Sequence, residues 1–206
     1  MRAKRVKGLD PAGPLADNAA KIVAVRLGEL RSFVPKALDP TEVEALHDMR
    51  IAAKRLRYIL ELTAESCFGE YAATGAKRAR DLQDLLGEIH DCDVTLPRVV
   101  ALVERRRELA ALEARAAAGT AEDLDPRLAA HVSQAEEWRG LEVLATHLQA
   151  RRGLLFERFI DLWRSLERSG FSARLAYSLS ERPQPDPETS PLQPRNDGAV
   201  PSEAAS

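Results

Sequence analysis

The sequence predicts an all-α protein, a helical bundle of about five helices with short connections. The chain is dominated by Ala, Leu, Arg and Glu, which are strong helix formers. Aromatic residues make up only 5% of the chain, and no segment alternates polar and apolar residues as a half-buried strand does. With 206 residues, 45% of them hydrophobic, the chain is long enough to build an ample core.

Most of the predicted helices are bounded by residues that commonly start or stop helices. Asp39 and Pro40 are typical of an N-cap and a first helical residue. Gly69 and Gly170 are typical of helix C-termini. A fourth helix is predicted from about Asp93, and Pro97 is tolerable in it because proline is accepted in a first turn. The predicted helices span residues 15–34, 40–67, 71 to just before 93, 93–118 and 127–169, followed by a short amphipathic piece at 171–179.

The composition divides the chain into three parts. Residues 1–14 predict a flexible basic arm, interrupted by Gly and Pro, and residues 15–179 predict the helical body. Residues 180–206 predict a disordered tail, because they are rich in Pro, Ser and acidic residues and cannot bury enough apolar surface to offset their ordering entropy. No apolar run resembles a signal peptide or a membrane span, so we expect a soluble, cytoplasmic protein.

One helical face concentrates positive charge, although the whole chain has a net charge of −2. On a helix, Leu46, Met49, Ala53, Leu56 and Leu60 form the side that faces the core. The face beside them holds His47, Arg50, Lys54 and Arg57, whose like charges repel at this spacing. A guanidinium fork, an ammonium and an imidazole donor together suit a ligand with repeated negative charges. An ordinary solvated basic face is the alternative interpretation of the same spacing.

Two ordered motifs resemble the CHAD family, the conserved-histidine α-helical domains. Residues 47–50 (HDMR), followed by 54–58 (KRLRY), resemble the family's signature helix, and residues 82–94 (LQDLLGEIHDCDV) resemble its LQDLLGxxxDxxV motif. The likeness covers roughly residues 15–179, with the family's closing helix between residues 154 and 171.

The resemblance implies a non-enzymatic helical module that binds inorganic polyphosphate, often at polyphosphate granules. Carried over by position, the binding residues are His47, Arg50, Lys54, Arg55 and Arg57, with Lys77 and Arg80 as additions on the neighbouring helix. Family members typically hold two tandem copies of this unit, whereas this chain holds one. The resemblance therefore implies either that two chains pair as a homodimer or that one unit works as a half-site.

Other candidate sites and functions follow from the remaining residues. Arg151 and Arg158 share a face of the final helix with His147, which is either a solvated face or the far wall of the basic groove. A metal site is not expected at His90, because on a helix its side chain points away from Glu88 and Asp91. No catalytic motif is present, and we expect no enzyme activity and no cofactor. A nucleic-acid binder and a scaffold for an acidic protein partner remain the alternative functions, the first disfavoured by the net charge and the few aromatic residues.

Overall fold

A computed structural model describes residues 3–128 and 136–182, with side chains from residue 139 onward in the second range. The predicted disordered tail therefore lies almost entirely outside the described residues. Five helices are described, and no strand occurs within the described ranges. The helices are α1 (Leu15–Ala37), α2 (Val43–Cys67), α3 (Tyr71–Ala118), α4 (Glu136–Arg168) and α5 (Phe171–Ser178). The predicted all-α bundle is confirmed.

The four longer helices pack in chain order, each antiparallel to the next. α1 packs on α2, α2 on α3, and α3 on α4, while the short α5 returns against α3 and α4. The apolar side predicted for the second helix is confirmed, since all five of its residues are buried. The most deeply buried large side chains come from each of the five helices; they include Val23, Leu30, Met49, Leu56, Leu60, Leu82, Leu86, Ile89, Phe159, Phe171 and Leu175.

The predicted third and fourth helices are one continuous 48-residue helix, so the predicted break before Asp93 is wrong, and Pro97 lies in the helix interior and not in a first turn. A proline inside a helix removes one backbone hydrogen bond and normally favours a kink or an end. Here α4 packs along α3 on both sides of the proline. Arg152 Nε donates to Asp93 Oδ1 at 2.7 Å before it, and Arg107 Nη2 donates to Glu142 Oε1 at 2.6 Å after it. Tertiary packing thus overrides the local signal.

The predicted N-cap of the second helix is also displaced. α2 begins at Val43, and Asp39 does not cap it. The Asp39 carboxylate instead accepts the backbone N–H of Thr41 at 2.8 Å and its hydroxyl at 2.7 Å, which closes a local turn. These hydrogen bonds hold the pKa of Asp39 below its ordinary value. The competing turn delays the helix by about one turn relative to the prediction.

The ends of the helical body are joined by close contacts. Gly170 has φ +66°, a left-handed conformation that suits glycine, and it separates α4 from α5. A Cβ on Gly75 would lie 2.9 Å from Leu175 Cδ1, so the absent side chain lets α5 approach α3. Arg182 Nη2 donates to Asp17 Oδ1 at 2.7 Å, which links the end of the described chain to the start of α1.

No described helix combines the length and apolarity needed to cross a lipid bilayer.

Candidate functional site

Two histidines from adjacent helices meet at one end of the α2–α3 seam. His47 Nδ1 lies 3.2 Å from His90 Nδ1, and the ring centroids are 4.5 Å apart with the planes inclined at 41°. In this hydrogen bond one nitrogen donates and the other accepts, according to the tautomers. Protonation of both nitrogens would remove the acceptor and leave two N–H donors facing each other. The pair is therefore sensitive to the addition of a second proton.

The surroundings of His90 favour its neutral form. Burial lowers the pKa of His90, and the neighbouring charges of His47 and Arg50 lower it further. The carboxylates of Asp91 and Asp93 oppose this effect but do not overcome it. A polyanion placed beside the pair would act as those carboxylates do, since negative charge stabilises an imidazolium. His90 is thus chemically coupled to whatever binds the neighbouring cations.

Arg50 reaches from α2 onto α3 at the position where α3 has no side chain. A Cβ built on Gly87 would lie 3.5 Å from Arg50 Nε. That Nε atom is buried and has no hydrogen-bond acceptor among the described residues. A buried donor without an acceptor costs free energy, and such groups in native structures often mark a site for a missing ligand or water. Arg50 is therefore the side chain most clearly poised for an external acceptor.

Lys54 lies one turn after Arg50 on the same side of α2. Its Nζ is 5.6 Å from the centroid of the Tyr58 ring, and the side chain is half-buried. Within the described parts of the chain, no carboxylate lies within ion-pair distance of either Lys54 or Arg50. Neither positive charge is therefore offset by a described carboxylate. Together with the histidine pair they define what we call the α2 surface: His47, His90, Arg50 and Lys54.

Arg57 and Arg80 are partly neutralised by a shared carboxylate. Glu61 Oε1 accepts from Arg57 Nε at 2.8 Å and from Arg80 Nε at 3.2 Å, with a still closer contact to Arg80 Nη2. Hydrogen bonding to Glu61 raises the pKa of Arg57, and the donations from Arg80 and then Arg57 lower the pKa of Glu61. Arg57 Nη1 also lies 3.4 Å from Gln83 Oε1 and 3.8 Å from Asp84 Oδ1. This cluster extends the α2 surface but carries little surplus charge.

The outward side of α3 next to the α2 surface carries carboxylates. Asp84, Glu88 and Asp91 are exposed there, and Arg151 Nη2 of α4 donates to Glu88 Oε2 at 2.5 Å. The predicted basic groove therefore has an acidic border, and Arg151 is engaged with that border. Arg152, which was not among the predicted binding residues, is held more firmly, between Asp93 and the backbone oxygen of Pro40 at 2.7 Å each.

The structure brings some of the predicted binding residues together and separates others. His47, Arg50, Lys54 and Arg57 share one side of α2, and Glu61 connects Arg57 to Arg80. Arg55 points away from this side of α2 toward α1, where its Nη1 lies 3.6 Å from Glu29 Oε1. Lys77 on α3 and Arg158 on α4 are exposed.

Sequence reasoning missed His90 as a partner of His47. The available signal was that His90 points away from the acidic residues of its own helix, which left it free to face α2. The predicted absence of a metal site at His90 stays a prediction. Among the described residues, no group of three or more His, Cys, Asp or Glu side chains is arranged to hold a metal ion.

Comparison with known proteins gives one match. Residues 2–100 match a family model described as the CHAD domain. A search of the curated proteins and a search of the solved structures found no match. The matched residues include both histidines, the rest of the α2 surface and the first half of α3.

Proposed function

Residues 2–100 match the CHAD-domain family model, and on this premise we propose that the chain binds inorganic polyphosphate through the α2 surface, without acting as an enzyme. The CHAD domain is associated with polyphosphate binding, and the family is generally non-catalytic. The observation that carries the proposal for this chain is the pair of cations without carboxylate partners. Arg50 and Lys54 lie next to a histidine pair whose protonation a polyanion would favour.

The chemistry of these four side chains fits a chain of phosphates. Arg50 offers a planar fork for two phosphate oxygens, with a buried Nε still lacking an acceptor. Lys54 adds a mobile point charge about one turn further along α2. The histidine pair adds a donor at the end of the row. Such a row of cations binds negative charges repeated along a line and offers no group that recognises a base. It therefore favours a simple polyphosphate chain over a nucleic acid.

A competition experiment separates the candidate ligands. Long-chain polyphosphate, single-stranded RNA and duplex DNA are titrated at matched phosphate concentration, over a range of salt concentrations. We expect polyphosphate to bind most tightly, with an affinity that falls steeply as salt rises, because each phosphate contact releases counterions. Binding that is absent at low salt, independent of salt, or equal for RNA contradicts the proposal. An acidic protein as partner would be the outcome in which none of the three polyanions binds.

We also propose that polyphosphate binding recruits the chain to polyphosphate granules. The physical basis is simple, because granules present long polyanions at high local concentration. A fluorescent fusion of the full chain should overlap with granules in cells that store polyphosphate. A fusion that carries Arg50→Met and Lys54→Met should be diffuse, whereas equal granule association of the two fusions would contradict recruitment through the α2 surface.

Two copies of the chain would supply a longer row of cations, and we propose that the protein pairs as a homodimer. The support from the structure is an apolar stripe on the distal half of α3, where Leu102, Leu109 and Leu112 are exposed at helical spacing. Light scattering on the free protein and with polyphosphate tests this proposal. A 22.7 kDa species under both conditions contradicts the dimer. A doubled mass that needs polyphosphate would mean that the ligand itself bridges two chains.

A further inference from the structure

The N-terminal segment before α1 is held against the helical body by its backbone. The Lys4 N–H donates to Glu29 Oε1 at 2.6 Å, and the Lys4 carbonyl accepts from Arg26 Nη1 at 3.0 Å. Further along, Lys21 Nζ donates to the carbonyl of Gly8 at 2.6 Å. Each of these contacts uses a main-chain group of the segment. The side chains of residues 4–8 therefore take no part in these anchoring hydrogen bonds.

Glu29 is the centre of this attachment. The residue is fully buried, and its carboxylate accepts from Arg26 Nη1 at 2.6 Å as well as from Lys4. The oxygen that accepts the Lys4 N–H lies 3.6 Å from Arg55 Nη1 on α2. One buried carboxylate thus joins the N-terminal segment, α1 and α2, and it makes Lys4 a close neighbour of Arg55. Burial by itself raises the pKa of Glu29, but the donations from Lys4 and Arg26 and the nearby cations together lower it.

The anchored segment presents positive charge to solvent. Lys4, Arg5 and Lys7 are exposed, and in the described parts of the chain no carboxylate lies within ion-pair distance of their side chains. Two further cations, Arg26 and Arg55, contact the carboxylate of Glu29 beside this segment. Like charges held on a fixed backbone repel. Such an arrangement is stabilised by an external polyanion.

We propose that Lys4, Arg5 and Lys7 form a second row of cations for the same polyanion, with Glu29 as the residue that positions this row. The inference rests on the proposed polyphosphate binding and adds a part of the site that lies off α2. Arg55 lies between the two rows, because it follows Lys54 directly in α2 and also meets the carboxylate that anchors Lys4.

The first test removes the charges of the segment and keeps its backbone contacts. The variant carries Lys4→Gln, Arg5→Gln and Lys7→Gln. The matched control removes three exposed arginines from the far ends of α3 and α4, through Arg115→Gln, Arg164→Gln and Arg168→Gln. Both proteins have the same net charge. We expect the affinity for long-chain polyphosphate to fall about tenfold or more in the first protein only. The slope of log affinity against log salt should fall by about 2–3, since each of the three lost contacts removes about 0.7–1 from it.

The second test releases the segment and keeps its charges. In Glu29→Gln the three cations remain, but their anchor is weakened. We expect faster tryptic cleavage after Lys4, Arg5 and Lys7, and a salt slope reduced toward that of the first variant. A merely structural role of Glu29 would leave the salt slope unchanged at temperatures where the variant is folded. Polyphosphate should slow the tryptic cleavage of the unmodified chain.

The outcomes of these tests separate the inference from the proposed function. If the unmodified chain binds polyphosphate and Arg50→Met weakens binding, but the segment variant equals its control, the second row is refuted and the proposed function stands. If the unmodified chain does not bind polyphosphate, both fall. If the segment variant loses binding while Arg50→Met does not, the second row is supported and the α2 surface is refuted as the principal site.

Discussion

Arg50→Met is expected to make the free protein more stable and the bound protein less stable than the unmodified chain. Methionine keeps an apolar side chain of similar length against Gly87 and removes a buried Nε that has no acceptor. An unsatisfied buried donor costs about 1–3 kcal/mol, and we take the lower end because the side chain is only half-buried. For a domain of this size, a gain of about 1 kcal/mol raises the melting temperature by about 2–4 °C.

With polyphosphate present, the order of the two melting temperatures should reverse. Loss of one hydrogen-bonded charge contact costs about 1.5–3 kcal/mol of binding, roughly a ten- to hundredfold weaker affinity. At a ligand concentration 100 times the Kd, the unmodified chain gains about 2.7 kcal/mol of stability. By the same relation the variant gains only about 0.4–1.4 kcal/mol. The difference exceeds the advantage of about 1 kcal/mol that the variant has without ligand.

Thermal melts followed by circular dichroism, with and without polyphosphate, provide the assay. Arg164→Met is the control, because Arg164 is an exposed arginine that forms a long ion pair with Asp161, at 3.8 Å. It should change neither melting temperature by more than the experimental error. If Arg50→Met lowers the melting temperature of the free protein and leaves the ligand-induced shift unchanged, Arg50 is a structural residue. The reasoning from its buried Nε would then be refuted.

Four further outcomes are expected. Leu56→Ala should destabilise the fold by about 2–5 kcal/mol in urea titrations, because Leu56 is fully buried, with unchanged polyphosphate affinity of the folded protein. Gly170→Ala should cost about 1–2 kcal/mol in the same titrations, because its φ of +66° is strained for a residue with a Cβ. Because the pKa of Glu29 is lowered in the folded state, the ionised carboxylate stabilises the fold fully above its ordinary pKa of 4.5, and this stabilisation is lost as the pH falls through the pKa of the folded state. The difference in unfolding free energy between Glu29→Gln and the unmodified chain should therefore narrow in melts at acid pH. Because the pKa of His90 is lowered in the folded state, the free protein should lose stability as the pH falls below 6.5, the ordinary pKa of histidine. Polyphosphate affinity should rise over the same pH range. His90→Asn should show neither change, and an equal pH response of that variant would contradict the role of the histidine pair.

The part of the fold that follows from local periodicity was predictable from the sequence. The buried side of α2 and the end of that helix at Cys67 both agree with the structure, because spacing alone fixes which side of a helix is apolar. The continuity of α3 through Pro97 was not predictable, since it depends on α4 packing along both halves of the helix. The cap at Asp39 failed for a related reason. A local turn at Thr41 competed with the helix, and the sequence pattern suits both.

In the candidate site, too, features set by the spacing along one helix were predictable, and features set by contacts between helices were not. The row of Arg50 and Lys54 follows from helical spacing, and the structure keeps the two residues together. The contact between His47 and His90 depends on the register of α2 against α3, which no single-helix pattern contains. The partner of Arg55 could not be assigned from spacing either, because that partner is the buried Glu29 of a different helix. Pairing across helices therefore carries the information that the sequence pattern lacks.

The proline inside α3 also has a consequence for how the protein opens. Proline has no amide hydrogen, so the ladder of backbone hydrogen bonds in α3 is interrupted at Pro97. Before that point α3 is covered by α2 as well as α4, whereas beyond it few α3 side chains are buried. Hydrogen exchange should therefore divide α3 into two cooperative units. Amides of residues 79–92 should exchange only through global unfolding. Amides of residues 101–118 should exchange through a local opening of lower free energy, in which the first half of α4 detaches together with this part of α3.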